Sequence, residues 1–173
     1  MTVPLYSPWA YRLVSSLVRT FLKVYCRFES YGGHHVPAQG GCIIAANHAS
    51  FLDPPAVVCG IRHRVVRFLA RSTLMNNAWS YRFLTSVAVI PLAREKGDIS
   101  ILKKAIQLLK EGTCLALFPE GTRSHNGEIQ TAKGGIGFLV AKAEVPVIPA
   151  YIEGTYKAMP RGSNYIKPYI VKI

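Results

Sequence analysis

Acidic side chains are scarce. The 173-residue chain has 9 Asp and Glu against 21 Lys and Arg, a formal net charge of +12. That imbalance calls for an anionic partner: nucleic acid, an acidic membrane surface or a phosphorylated substrate. Cys26, Cys42, Cys59 and Cys114 are widely separated and form no Cys-x-x-Cys pair, so neither a zinc site nor a disulfide framework is expected, and a reducing compartment is. No apolar run approaches the ~20 residues a bilayer-crossing helix needs, and the amino terminus lacks the pattern of a signal peptide. A chain that does not span a membrane is the expectation. Also missing is a Gly-x-Ser-x-Gly elbow, the mark of an activated serine nucleophile on a strand-to-helix turn. No internal repeat or low-complexity segment is visible.

What is present suits one globular domain, since 50% of the residues are hydrophobic and only 17% charged. From Tyr11 to Phe28, at about 100° per residue, Tyr11, Leu13, Val14, Leu17, Val18, Phe21, Leu22, Val24, Tyr25 and Phe28 fall on one half of a helical wheel. Arg12, Ser15, Ser16, Arg19, Lys23, Cys26 and Arg27 fall on the other. A broad apolar face beside a basic one is the pattern of a helix lying in a membrane interface, and Tyr6, Trp9 and Tyr11 suit a headgroup boundary. The competing reading packs this helix on the domain's own core. Its end is ambiguous, because Tyr25 to Tyr31 also alternates as a strand would.

Further along, Cys42–Ala46, Val65–Ala70, Val87–Ile90, Cys114–Phe118 and Val147–Ile148 read as strands, the first and fourth of them buried. Helices are expected over Ser72–Ser86, capped by Ser72 or Thr73, over Asp98–Glu111, and over Gly135–Glu144. Pro91 is expected to close the third strand. Alternating strands and helices predict an α/β fold, a largely parallel sheet flanked by helices and preceded by the amphipathic helix.

Two strand ends carry polar clusters, where sites gather in open α/β sheets. The first is Asn47-His48-Ala49-Ser50-Phe51-Leu52-Asp53. His48 can act as a general base if a carboxylate holds one ring N–H and fixes the tautomer, and Asp53 is placed to do so. Equally, Asp53 can be an N-cap with Pro54 at the first helical position, and His48 a structural histidine. The second cluster is Phe118-Pro119-Glu120-Gly121-Thr122-Arg123-Ser124. Here Gly121 permits close backbone approach to a ligand, Arg123 offers a planar fork for phosphate, and Glu120 can accept from a polyol hydroxyl. Read alone, Pro119 to Thr122 is also an ordinary turn. Arg94 and Lys133 add positive charge near strand ends, and each singly reads as a solvated cation. The basic residues are dispersed, which disfavours a nucleic-acid platform.

Taken together, the two clusters resemble those of the 1-acylglycerol-3-phosphate acyltransferase family of glycerolipid acyltransferases. The resemblance extends through Val89-Ile90-Pro91-Leu92-Ala93-Arg94 and Val145-Pro146-Val147-Ile148-Pro149-Ala150, covering about Val36 to Thr155. It implies a catalytic pair, His48 and Asp53, and an acceptor site of Arg94, Glu120, Gly121 and Arg123, with Arg71 and Lys133 as further phosphate contacts. It implies no metal and no cofactor beyond an acyl thioester co-substrate, from coenzyme A or acyl carrier protein. The implied reaction moves a fatty acyl group to the sn-2 hydroxyl of 1-acylglycerol 3-phosphate, lysophosphatidic acid, and gives phosphatidic acid. Glycerol 3-phosphate or another lysolipid is the alternative acceptor, and a non-catalytic basic membrane-binding module is the alternative outside enzymes. Residues 1–28 would form the membrane-interface helix and 29–173 the acyltransferase domain, peripheral on the cytoplasmic face of a membrane. Two departures stand out. Ala93 occupies a position commonly acidic in the family, and the chain stops inside the strand-like run Tyr169–Ile173, where family members generally continue, so a short member or a truncated carboxyl end is expected.

Overall fold

The computed structural model describes residues 6–71, 75, 77–92 and 97–173. The strands are β1 (Cys42–Ala46), β2 (Val66–Arg71), β3 (Val89–Leu92), β4 (Cys114–Leu117) and β5 (Val147–Ala150). They form one sheet in the order β3-β2-β4-β1-β5, and every pairing is parallel. The helices are α1 (Pro8–Tyr25), α2 (Asp53–Gly60), α3 (Ala78–Ser86), α4 (Gly97–Lys110), α5 (Gly135–Ala143) and α6 (Thr155–Ala158).

Alternation along the central strands divides the core in two. Cys42, Ile44 and Ala46 of β1, with Cys114 and Ala116 of β4, pack with Leu22 of α1 and Ala56, Val57 and Cys59 of α2. Ile43 and Leu115 point the other way and pack with Ala105 and Leu109 of α4 and Leu139 and Ala143 of α5. Strands buried on both faces account for the unbroken apolar runs that marked them in the sequence. Gly41 lets β1 enter this core: a Cβ there would lie 2.0 Å from the Leu109 carbonyl oxygen.

Several boundaries differ from the sequence expectation. α1 starts earlier, with Pro8 in its first turn, and ends at Tyr25, so Phe28 lies outside the helix and is buried. Residues 29–31 instead pair with the end of the chain: the Glu29 N–H donates to the Val171 carbonyl at 3.0 Å and the Tyr31 N–H to that of Ile173 at 2.8 Å. α3 is capped by Asn77, whose side chain accepts the Ser80 N–H at 2.8 Å while Ser80 Oγ accepts the Asn77 N–H at 3.3 Å. That reciprocal box outcompetes an earlier start; the expected caps Ser72 and Thr73 lie outside the described residues. Pro91 sits inside β3 and Pro149 inside β5, which is tolerated because both are edge strands.

The apolar half of α1 is divided between the core and the exterior. Tyr11 and Leu22 are buried, and the Tyr11 hydroxyl accepts the Val66 N–H at 3.1 Å, tying α1 to the start of β2. Burial pushes the Tyr11 phenol up to about 12, against the lowering effect of that hydrogen bond. Trp9, Leu13, Leu17 and Val24 are exposed, at 71%, 51%, 62% and 79% of their surface. No described helix is long and apolar enough to cross a membrane.

Candidate active site

Both polar clusters leave the carboxyl ends of the two central strands, β1 and β4, which are paired in register from Cys42 and Cys114 onward. Adjacent strand ends bring together residues about 70 positions apart. The His48 N–H donates to Glu120 Oε1 at 3.1 Å, and the Ser124 N–H donates to the His48 carbonyl at 2.7 Å. Asn47 fixes the next strand end by a reciprocal pair, donating from Nδ2 to the Ile152 carbonyl at 2.9 Å and accepting the Ile152 N–H at 2.7 Å.

His48 Nδ1 lies 2.8 Å from Asp53 Oδ2. The same oxygen accepts the N–H groups of Ala49 at 2.6 Å and Ser50 at 2.7 Å. Asp53 is fully buried and is the first residue of α2, one place inside the helix compared with the N-cap expectation; Leu52 is the N-cap. The difference has a cause: its carboxylate turns back to the upstream loop amides instead of the helix's own. A negative group in the first turn of α2 also meets the positive end of the helix dipole. Asp53 therefore opens the helix from inside its first turn instead of capping it, and the same carboxylate lies within hydrogen-bond distance of the imidazole.

With Nδ1 committed, Nε2 is the ring nitrogen left for a further partner, and the side chain is 17% exposed. The ring is held flat by Phe118, stacked on it at 4.0 Å between centroids and 15° between planes, and Phe68 backs Phe118 at 6.1 Å. Neither aromatic was singled out from the sequence, although Phe118 opens the second cluster; a ring before a motif reads as core.

Glu120 is 95% buried by its 5% exposure, and its second oxygen accepts from Gln130 Nε2 at 3.1 Å. Gly121 adopts a φ of +66°, and a Cβ there would lie 2.9 Å from both Cε and Nζ of Lys133, so the glycine makes room for that lysine. Lys133 is exposed, and its backbone N–H donates to the Pro119 carbonyl at 2.9 Å. The Arg123 guanidinium lies over the Phe51 ring at 3.5 Å from its centroid. Burial and the nearby Arg161 lower the Arg123 pKa, while Asp53 raises it. His48, Asp53, Glu120, Gly121, Arg123 and Lys133 thus converge on one edge of the sheet. Arg94 lies outside the described residues; Arg71 is the last residue of β2, at the same edge, and its side chain lies outside them too. An open cavity of about 400 Å³ adjoins Glu120 and Asn47, walled by Ala45, Ala46, Ile129, Ala132, Pro149 and Ala150 among others.

Residues 27–153 match the family model described as Acyltransferase. The chain belongs to the acyltransferase family. That membership covers both polar clusters and all five strands. A 1-acyl-sn-glycerol-3-phosphate acyltransferase of Bacillus subtilis (strain 168) is 28% identical over 144 residues, 83% of this chain and 71% of that protein. A chloroplastic 1-acyl-sn-glycerol-3-phosphate acyltransferase of Brassica napus is 33% identical over 128 residues, 72% of this chain and 36% of its own length. The chain thus spans most of the bacterial relative and about a third of the plant one. The crystal structure of the 1-acyl-sn-glycerophosphate (LPA) acyltransferase PlsC from Thermotoga maritima superposes with a TM-score of 0.70 at 27% identity, covering 94% of this chain and 67% of that one. The parallel α/β architecture of this acyltransferase is therefore shared with a solved family member.

Proposed function

We propose that this acyltransferase moves a fatty acyl group from a thioester donor, acyl coenzyme A or acyl carrier protein, to the sn-2 hydroxyl of 1-acylglycerol 3-phosphate. The observation that carries the reading is the His48–Asp53 pair at 2.8 Å beside a cationic Arg123, in a chain whose relatives bear the name of that activity. His48 Nε2 takes the hydroxyl proton as the oxygen attacks the thioester carbonyl carbon. Asp53 stabilises the imidazolium. Collapse of the tetrahedral adduct breaks the C–S bond, and the imidazolium returns its proton to the departing sulfur, leaving an ester and a thiol. A thiol of pKa about 8.5 leaves readily, so no covalent enzyme intermediate is needed. The N–H groups of His48, Ala49, Ser50, Gly121 and Ser124 are committed to internal acceptors, so the oxyanion is stabilised by other donors.

Arg123 reads the acceptor phosphate in this account, with Lys133 beside it and Glu120 on the glycerol. A charge-assisted hydrogen bond contributes roughly 1.5–3 kcal/mol, so Arg123→Ala should lower kcat/KM for lysophosphatidic acid by about 10- to 100-fold. The same variant should leave turnover of a phosphate-free monoacylglycerol nearly unchanged. Parallel kinetics with the two acceptors test this; an equal loss on both would remove Arg123 as the phosphate reader.

The exposed stripe of α1 belongs to the same reading, as the surface by which residues 1–28 dock the domain, 29–173, on the cytoplasmic face of an anionic membrane. Burying one leucine or valine side chain is worth about 1.5–3 kcal/mol. Leu17→Glu with Val24→Glu should therefore reduce cosedimentation with anionic vesicles by more than about tenfold, and unchanged binding would reject the docking role.

A further inference from the structure

A second cationic recess lies away from this site. α1 and the segment Ile61–Val65, which leads into β2, line an open cavity of about 300 Å³. Since every strand pairing is parallel, residues preceding β2 lie at the edge of the sheet opposite the one from which His48 emerges. Arg12 and Arg19 of α1 and Arg62 and Arg64 of the segment line the recess, and no carboxylate among the described residues does.

Two of these arginines are committed to the fold. Arg64 donates to the carbonyls of Pro37 at 2.6 Å, Gly40 at 2.8 Å and Gly112 at 2.9 Å. Arg19 donates to the Cys59 carbonyl near the end of α2. Arg12 and Arg62 are different. Both are exposed, and neither guanidinium forms a hydrogen bond or ion pair among the described residues. Ser16 adds a hydroxyl to the wall. Four like charges in one recess repel each other unless a counter-charge enters, and a concave wall focuses their field. The planar guanidinium fork matches a phosphate better than it matches a spherical halide.

We infer that this recess binds a phosphate-bearing anion, held by the free forks of Arg12 and Arg62 within the field of Arg19 and Arg64. The anion comes either from a free phosphate compound or from a phospholipid headgroup. Because Arg12 is on α1 and Arg62 on the approach to β2, the ligand bridges the amino-terminal helix to the body of the domain. The site is separate from the acceptor position at Arg123 and does not depend on the acyl-transfer reading.

The test is a titration of the ¹⁵N-labelled full chain with inorganic phosphate, with a chloride titration at matched ionic strength. Backbone amides of Ser15, Ser16, Arg62 and Val65 report on the recess; those of Gly121 and Ser124 report on the other edge. Saturable, phosphate-specific shifts at the first group are expected. In Arg12→Gln/Arg62→Gln their midpoint should move at least about tenfold higher in phosphate, as expected for losing a charge-assisted contact, with the response at Gly121 and Ser124 unchanged. Both replaced side chains are exposed and have no partner among the described residues, so an unaltered amide spectrum elsewhere verifies the fold. Shifts that chloride reproduces, absent saturation, or an unmoved midpoint in the double variant would overturn the inference. A second arm separates the sources: weaker binding of the double variant to vesicles containing phosphatidic acid, but not to phosphatidylcholine vesicles, assigns a headgroup, and equal binding to both assigns a free phosphate.

Discussion

Replacing His48 by alanine is expected to slow acyl transfer by at least ~10²–10⁴-fold, the usual contribution of a positioned general base, with little change in KM for either substrate. The base acts on the proton in transit, so its removal weakens transition-state interactions more than ground-state ones. The fold should tolerate the change. His48 is partly exposed, and the Asp53 oxygen it leaves still accepts the N–H groups of Ala49 and Ser50. Kinetics at saturating thioester, with thermal unfolding as a control, check this. A variant within about tenfold of wild type, against the ~10²-fold minimum for a lost base, would remove His48 as the base.

Asp53→Ala should damage both activity and stability. One buried oxygen serves the imidazole and two backbone amides. Deleting it leaves the N–H groups of Ala49 and Ser50 without their acceptor, at about 1–3 kcal/mol for each unsatisfied buried donor, and removes the acidic residue from the first turn of α2. A loss of several kcal/mol is a large share of the ~5–15 kcal/mol that holds a domain folded. Activity should fall by ~10²–10⁴-fold, because the imidazole loses the partner that sets its tautomer. Asp53→Asn separates the two effects: the amide oxygen can keep accepting from the backbone, so most of the stability should return while activity stays low. Chemical denaturation with turnover on both variants measures this. Full activity in Asp53→Asn would show that the carboxylate charge is not needed.

The parallel sheet was legible because its inner strands β1 and β4 are buried on both faces and read as short apolar runs between turn residues. β1 and β4 could be placed this way, and with them the two polar clusters at their ends. Their adjacency was not legible. The contact between His48 and Glu120 depends on strand order, and in a parallel sheet sequence neighbours need not be spatial ones. The aromatic supports were hidden for a similar reason: nothing local distinguishes Phe118 against His48, or Phe51 under Arg123, from core or surface aromatics. On α1 a helical wheel shows which residues share a side but not how wide the covered strip is, so Leu22 and Leu17 looked alike although one is buried and the other 62% exposed. The start of α3 was missed because serine and threonine are acceptable caps, whereas the Asn77–Ser80 box is better.

The central claim is that the two strand-end clusters carry out acyl transfer to a phosphorylated lysolipid. Its most direct test is thiol release from a long-chain acyl thioester by the wild-type chain, with and without lysophosphatidic acid, while phosphatidic acid is quantified in the same reaction. The account predicts release that depends on the acceptor and equals the phosphatidic acid formed. Thiol release at the same rate without acceptor, or no phosphatidic acid at all, would contradict it.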